Sequence, residues 1–235
     1  MAPVASRKKA RTTARADADV WAAPAEKSVG KGARSTRAER SAARRAAILA
    51  AALDEFSARG FVATRLEDVA RRAGIAKGTI YLYFRDKETL FAELIRSSLV
   101  PLVAGVEAAP RDLPLRMFAE LFIELFVKEI YGTRRRDVIR LIITEGPRFP
   151  QLAEVYYREV IKRATAAVRA IVQRAIERGE IRSDALKRFP QLLVAPGLVA
   201  VLWEALFARF EPLDVAAMMR THIDLLFAAL EGRKP

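Results

Sequence analysis

Apolar residues recur at intervals of three and four along most of the chain from Thr36 onwards. This spacing places them on one face of an α-helix. The first helical stretch opens with Thr36 and Glu39 at the spacing of a capping box and ends near Gly60. Nowhere do apolar and polar residues alternate convincingly with a period of two, so no β-sheet is expected. The pattern predicts an all-α protein.

Two short helices separated by a tight turn are predicted next. Thr64 and Glu67 have the spacing of a second capping box, and the helix that they would open stops at Gly74. A further helical segment, 77–84, begins only about three residues later. Two short helices joined by a tight turn that contains glycine form a helix-turn-helix. Asp86 can cap the helix that follows.

The second half of the chain continues with apolar helices. Leu192–Trp203 carries no charge, but it is shorter than the ~18 residues of a membrane span, so no membrane helix is expected. The last helix, around Val215–Leu230, can cover this segment, and the same two helices from each of two chains would form a four-helix bundle. The side chains predicted at this homodimer interface are Leu198, Leu202, Met219, His222 and Leu226.

Composition excludes several kinds of site. The chain has no Cys and its one histidine is His222, so zinc sites and Ser-His-Asp triads lack their side chains. No metal, cofactor or catalytic residue is therefore predicted. The formal net charge is +13, which favours a polyanionic partner such as nucleic acid.

Residues 1–36 differ in composition from the rest of the chain. They contain no Leu, Ile or Phe, and 8 basic residues stand against 3 acidic ones. This composition predicts a disordered basic arm. The arm could contact DNA beyond a main binding site, or it could be a solvated tail with no role.

Residues 45–91 carry many residue types at fixed spacings. The run is Ile48-Leu49, Ala52-Leu53, Phe56, Gly60-Phe61, Thr64, Asp68-Val69-Ala70, Ala73-Gly74-Ile75, Lys77-Gly78-Thr79-Ile80-Tyr81, Tyr83-Phe84, Lys87 and Leu90-Phe91. This run resembles the DNA-binding region of TetR-family bacterial transcriptional regulators. The resemblance implies about nine helices, with a helix-turn-helix bundle at 37–85 and a larger ligand-binding and dimerisation domain at 86–235, which the helix from 87 links to the bundle.

The resemblance also implies which side chains reach DNA. They are Thr64, Lys77, Gly78, Thr79, Tyr81, Tyr83 and Lys87. Charge and hydroxyl groups suit phosphates, and a glycine lets the backbone approach the duplex. Ala76 stands where the family pattern has a capping Ser or Thr, so it supplies neither the cap nor a phosphate-binding hydroxyl.

For the second half, the resemblance implies a small-molecule pocket among the helices. Apolar and aromatic walls with few polar groups suit such pockets. The predicted lining is Phe118, Phe122, Phe126, Ile139, Arg140, Ile143, Glu145, Tyr156, Tyr157 and Trp203. Core packing is an alternative for each apolar side chain, and Arg140 and Glu145 could instead pair with neighbouring charges.

The function implied is that of a cytoplasmic homodimeric repressor. It would release a palindromic operator in double-stranded DNA when a small apolar or amphipathic effector binds. Two alternatives remain open at this point: a basic protein that coats DNA without sequence preference, and a helical enzyme that uses the C-terminal cavity.

Overall fold

The computed structural model describes residues 36–230, which are helical and contain no strand within that range. The helices are α1 (Arg37–Ala63), α2 (Leu66–Arg72), α3 (Lys77–Ile80), α4 (Lys87–Glu107), α5 (Leu115–Leu125), α6 (Arg135–Glu145), α7 (Pro150–Tyr156), α8 (Lys162–Glu177), α9 (Ala185–Arg188), α10 (Gln191–Leu206) and α11 (Val215–Leu230). The chain forms two compact units that divide inside α4, between Ser98 and Leu99. The predicted basic arm lies outside the described residues, apart from Thr36.

Helix α1 starts as its sequence predicts and breaks before its end. The Thr36 hydroxyl accepts a hydrogen bond from the Glu39 backbone N–H, and the Glu39 carboxylate accepts one from the Thr36 N–H. The helix is interrupted at Gly60, where φ is 76° and ψ is 168°. Glycine suits this position because it adopts positive φ without steric cost.

Side chains bind the carbonyl groups around this break. The Thr64 hydroxyl is 3.2 Å from the Glu55 carbonyl oxygen and 2.8 Å from that of Gly60. The Lys87 ammonium donates to the Phe61 and Val62 carbonyls at 2.8 and 2.9 Å. The Gly60, Phe61 and Val62 carbonyls have no N–H group four residues later within α1, because the helix ends at Ala63, and these side chains supply donors to them.

The capping box predicted at Thr64 and Glu67 is wrong. The residue before α2 is Arg65, whose side chain makes no capping hydrogen bond. The Thr64 hydroxyl is instead occupied by the end of α1. By contrast, Asp86 accepts a hydrogen bond from the Thr89 backbone N–H at 2.7 Å, so the predicted cap of α4 is confirmed.

The core of the first unit is built on three phenylalanine rings from α1 and α4. The ring centroids of Phe56, Phe61 and Phe91 lie 5.4 to 5.5 Å apart, with edge-to-face contacts at Phe91. A charge pair ties α2 to the same core, because Arg72 Nε donates to the buried Glu55 carboxylate at 2.7 Å. The pair between Arg72 and Glu55 thus joins α2, the first helix of the helix-turn-helix, to α1.

The predicted helix-turn-helix is present as α2, a tight turn and α3. Gly74 in the turn has φ of 67°. Helix α3 begins after Ala76, which makes no side-chain cap, as its residue type requires. The helix is only four residues long, and single turns continue from it to Phe84 through N–H groups that bond the Thr79 and Ile80 carbonyls.

In the second unit, two long helices widen into π-helical turns. Helix α5 runs into a π turn at Phe126–Tyr131, and α7 is joined to α8 by a second π turn at Tyr157–Ile161. Such turns shift the register of side chains along a helix and occur often at functional sites. Both are adjacent to the cavity described below.

Helix α10 passes through Pro196 without a break. A proline cannot donate to the carbonyl four residues earlier, which here belongs to Leu192. The His222 Nε2 of α11 lies 2.7 Å from that carbonyl oxygen and donates to it. His222 therefore supports α10 within its own protomer, a role that its predicted place in the dimer interface does not include.

Met219 differs from its prediction. Only 1% of its surface is exposed, so it packs inside the protomer and does not present a side chain to a second copy. Leu198 and Leu202 are 44% and 40% exposed, and Leu226 is half-buried.

Within residues 36–230, α4 is the one helix that is long and apolar enough to cross a membrane. Its apolar residues include Leu90, Phe91, Leu94 and Ile95, all fully buried against neighbouring helices. The core helix of a globular unit has the same composition.

We expect His222→Leu to lower the free energy of unfolding by about 0.5–1.5 kcal/mol, because the Leu192 carbonyl loses its donor. In a Pro196→Ala background the loss should be smaller, since the substituted alanine supplies the missing backbone N–H. Urea unfolding of the parent protein, the two single variants and the double variant at one protein concentration measures this coupling. Equal losses in both backgrounds would contradict it.

Candidate functional site

Polar side chains are exposed on α3 and on the turns that follow it. The Lys77 side chain is 70% exposed, Tyr81 is 46% exposed, and Thr79 and Tyr83 are half-buried. A Cβ atom placed on Gly78 would have no neighbour within 4 Å. Gly78 is thus not required by packing in its own unit, and the space in front of it is open.

A carboxylate from α2 joins two of these side chains. Glu67 Oε1 is 3.2 Å from the Lys77 ammonium and accepts a hydrogen bond from the Tyr81 hydroxyl at 3.0 Å. The pKa of Glu67 is lowered, first by a hydrogen bond from its own backbone N–H and next by the hydrogen bonds from Lys77 and Tyr81. The hydrogen bond to Glu67 raises the pKa of Tyr81.

Sequence reasoning missed this role of Glu67. The sequence predicts that Glu67 forms a capping box with Thr64. In the structure Glu67 lies on α2 and holds the side chains of Lys77 and Tyr81. The one signal available was an acidic residue inside an otherwise basic motif.

The side chains of two other residues predicted to contact DNA, Thr64 and Lys87, bond to backbone carbonyls of their own unit. Thr64 is 1% exposed and its hydroxyl bonds two carbonyls, so its predicted phosphate contact is wrong for this structure. The Lys87 ammonium serves two carbonyls and lies 4.7 Å from the centroid of the Phe61 ring. It has one of its three N–H groups left for a phosphate.

The second unit contains an apolar cavity of about 320 Å³. Its walls come from the last part of α4, from α5 and its π turn, and from α6, α7, the second π turn, α8 and α10. Five of the predicted lining residues meet there: Phe122, Phe126, Ile139, Ile143 and Tyr156. Phe118 lines a smaller adjacent cavity of about 200 Å³ that shares Val106, Phe122 and Leu125 with the first.

Four predicted lining residues lie elsewhere. Tyr157 is 59% exposed, because consecutive residues of a helix point about 100° apart and Tyr156 faces the cavity. The Trp203 Nε1 donates to the Glu211 carbonyl at 2.7 Å. Arg140 borders a separate polar groove, and Glu145 is buried outside the cavity wall. These four predictions are corrected accordingly.

Several wall residues were not predicted. They are Leu99, Leu102, Val103, Val106, Leu125, Ile130, Val160, Ile161, Ala164, Val194 and Leu198. Four of them, Leu99, Leu102, Val103 and Val106, belong to α4. The continuation of the apolar face of this helix past Pro101 is the sequence signal that could have identified them. Leu198 was assigned to the dimer interface and also borders the cavity.

Gly197 allows the cavity wall to form. A Cβ atom at this position would lie 2.7 Å from the Phe126 ring, which is closer than packed atoms approach. The absence of a side chain lets α10 pack directly on Phe126. This ring then closes one side of the cavity.

Within residues 36–230, no group of three or more His, Cys, Asp or Glu side chains could hold a metal ion.

Two family profiles match the chain. "Bacterial regulatory proteins, tetR family" matches residues 48–94, and "Tetracyclin repressor-like, C-terminal domain" matches residues 119–225. The chain belongs to the TetR family. The first match contains the helix-turn-helix, and the second contains most of the cavity wall.

Individual relatives agree with this assignment. The chain is 34% identical to the HTH-type transcriptional regulator RutR of Escherichia coli (strain K12) over 137 residues, which are 58% of this chain and 55% of RutR. The chain thus spans about half the length of the curated relatives that it matches first.

Solved structures share the fold. Salmonella enterica GusR is 25% identical, with a TM-score of 0.62 over 80% of this chain and 95% of that one. The SmeT–triclosan complex is 23% identical, with a TM-score of 0.64 over 80% of this chain and 91% of SmeT. At this identity the second likeness concerns the fold alone.

Removing the charge of Glu67 is expected to strengthen binding to double-stranded DNA. In Glu67→Gln, Lys77 loses its acidic partner and phosphates meet one less negative charge. We expect about two- to fivefold tighter binding to duplexes of any sequence at low salt, the size of an exposed charge pair. Fluorescence anisotropy measures this affinity, with one duplex selected for binding from random sequences and one scrambled duplex.

The matched control is Glu177→Gln, which removes the same charge from α8. It should change binding less. Weaker binding by Glu67→Gln would mean that Glu67 positions Lys77 and Tyr81 and does not compete with phosphate.

Proposed function

We propose that this protein is a sequence-specific DNA-binding transcriptional regulator that responds to a small molecule. The observation that carries the proposal is the exposed surface of α3, where Lys77, Gly78 and Tyr81 stand together on a helix-turn-helix. In this motif the second helix enters the major groove. The TetR family to which the chain belongs consists of bacterial regulatory proteins, which supports this role.

We further propose that the protein is a repressor that a small apolar or amphipathic effector releases from a palindromic operator. The apolar cavity of the second unit supports an effector site, because its volume lies in the usual range for small-molecule pockets. SmeT, which shares the fold, is described in complex with triclosan. For release, the effector must bind the DNA-incompetent arrangement more tightly than the competent one.

A homodimer is part of the proposal, since a palindrome presents two equivalent half-sites about 34–36 Å apart. Helix α10 carries a row of exposed apolar side chains that a second copy could cover: Leu198, Val199, Leu202 and Leu206. Leu225 of α11 is 66% exposed as well. We propose that these residues, with the half-buried Leu226, form the dimer interface.

The two alternatives predict different behaviour. A coating protein needs charge without a positioned recognition helix, and footprinting would give it no short protected site. An enzyme would turn over a substrate in the second unit, and we propose no catalytic step. We place the protein in the cytoplasm, where bacterial DNA is.

The role of α3 is tested by Gly78→Ala. The added methyl group meets nothing in the unit, and alanine favours a helix over glycine by up to about 1 kcal/mol, so stability should hold or rise. A methyl group between backbone and duplex should weaken operator binding roughly tenfold. An operator selected from random duplexes serves for the measurement.

The control is Gly105→Ala in α4, where a Cβ atom also has no neighbour within 4 Å. It should gain similar stability without losing affinity for the operator. Unchanged affinity in Gly78→Ala would count against α3 as the recognition helix.

The dimer interface is tested by Leu202→Glu. A charge buried without a partner between two copies is costly, so the variant should be monomeric and lose operator binding at concentrations that saturate the parent protein. Analytical ultracentrifugation reports the mass. Ala170→Glu, an exposed position of α8, should remain dimeric, and a dimeric Leu202→Glu protein would refute the interface.

A further inference from the structure

The walls of the large cavity are unusually uniform in chemistry. Of the residues that line it, all within 99–198, none is charged, and every one but Tyr156 has a purely hydrocarbon side chain. The adjacent cavity, which shares Val106, Phe122 and Leu125 with it, is also lined without charge. An ion that entered either space would lose its hydration without meeting an opposite charge.

Tyr156 supplies the one polar side-chain group of this wall. None of the hydrogen bonds within residues 36–230 involves its hydroxyl, although the side chain is largely enclosed. Burial away from water raises the pKa of Tyr156 to about 12. The phenol therefore stays protonated near neutral pH, when it can donate one hydrogen bond and accept another.

We propose that the cavity selects neutral, mostly apolar molecules that carry one hydrogen-bonding oxygen, which pairs with the Tyr156 hydroxyl, and that it rejects carboxylates and other anions. This inference rests on the proposed role of the cavity as the effector site. It narrows that proposal, because amphipathic effectors with a charged group inside the cavity are excluded.

The shape of the cavities adds a preference for elongated molecules. The two spaces of about 320 and 200 Å³ adjoin at Phe122 and Leu125. A rotation of these side chains would connect them, as side chains in rotamer wells can do on binding. A chain of methylene groups fits such a path, with its oxygen held at Tyr156.

The test compares two probes of equal size that differ in charge. In 2-decanone a methyl group occupies the place of the charged oxygen of nonanoate, and the rest of the two molecules is the same. Isothermal titration calorimetry on the full chain without DNA, at pH 8, gives both affinities. We expect 2-decanone to bind and nonanoate to bind at least about tenfold more weakly, because a buried charge lacks a partner here.

The role of Tyr156 is tested by Tyr156→Phe, with butylbenzene as a probe that has no oxygen. The variant should lose about three- to tenfold in affinity for 2-decanone, the size of one hydrogen bond, and keep its affinity for butylbenzene. The adjacent Tyr157→Phe is the matched control, since Tyr157 lies outside the cavity. It should bind both probes as the parent protein does.

Three results would overturn the inference. They are equal or tighter binding of nonanoate, an equal loss for both probes in Tyr156→Phe, and no binding of 2-alkanones of six to twelve carbons. A separate DNA-release assay distinguishes a failure of this inference about ligand selection from a failure of the proposed function. If 2-decanone binds with the expected pattern yet leaves DNA binding unchanged, the cavity chemistry stands and the effector role fails.

Discussion

The structure depends on a constraint at the places where its helices are interrupted: each backbone carbonyl that loses its helical partner must find another donor. Where α1 ends, just after its break at Gly60, the Thr64 hydroxyl and the Lys87 ammonium supply those donors. At Pro196 in α10, His222 supplies one to Leu192. These side chains hold α1 and α4 together in one unit and α10 and α11 together in the other. Thr64, for which the family resemblance implies a DNA contact, and His222, predicted at the dimer interface from its place on an apolar helix face, thus both bond within their own units.

The two candidate sites have opposite chemistry, and each follows from what surrounds it. The α3 surface is exposed, so charged and hydroxyl groups remain hydrated there, and Glu67 can hold Lys77 and Tyr81 without burying an ion. The cavity of the second unit is lined by hydrocarbon, so among the residues that the structure describes the Tyr156 phenol is the one polar side-chain group that a bound molecule can meet in the wall. DNA would be bound by side chains that are hydrated in the free protein. An effector would instead be selected because the hydrocarbon wall cannot stabilise a charged group.

Local features of the fold were predictable from short stretches of sequence. The Thr36–Glu39 capping box, the Asp86 cap and the glycine in the helix-turn-helix depend on residues three or four positions apart, so spacing alone identifies them. Five cavity residues were also found, because aromatic and branched side chains on amphipathic helices face the interior. The prediction of Tyr157 as a wall residue failed because adjacent residues of a helix point in different directions, so that only Tyr156 of the pair lines the cavity.

The sequence by itself determined the helices, the helix-turn-helix and the family, because these depend on periodicity and on a motif whose residues are close along the chain. Only the tertiary structure decided the roles of Thr64, Glu67 and His222. Each of these bonds to a group that the periodic pattern does not identify: the carbonyls around Gly60, the side chains of Lys77 and Tyr81, and the Leu192 carbonyl 30 residues away. The cavity is also a tertiary property, because its walls come from helices between Leu99 and Leu198 and its volume is the space that their packing leaves. Apolar periodicity shows which face of a helix is buried, but not whether another side chain or an empty space lies opposite.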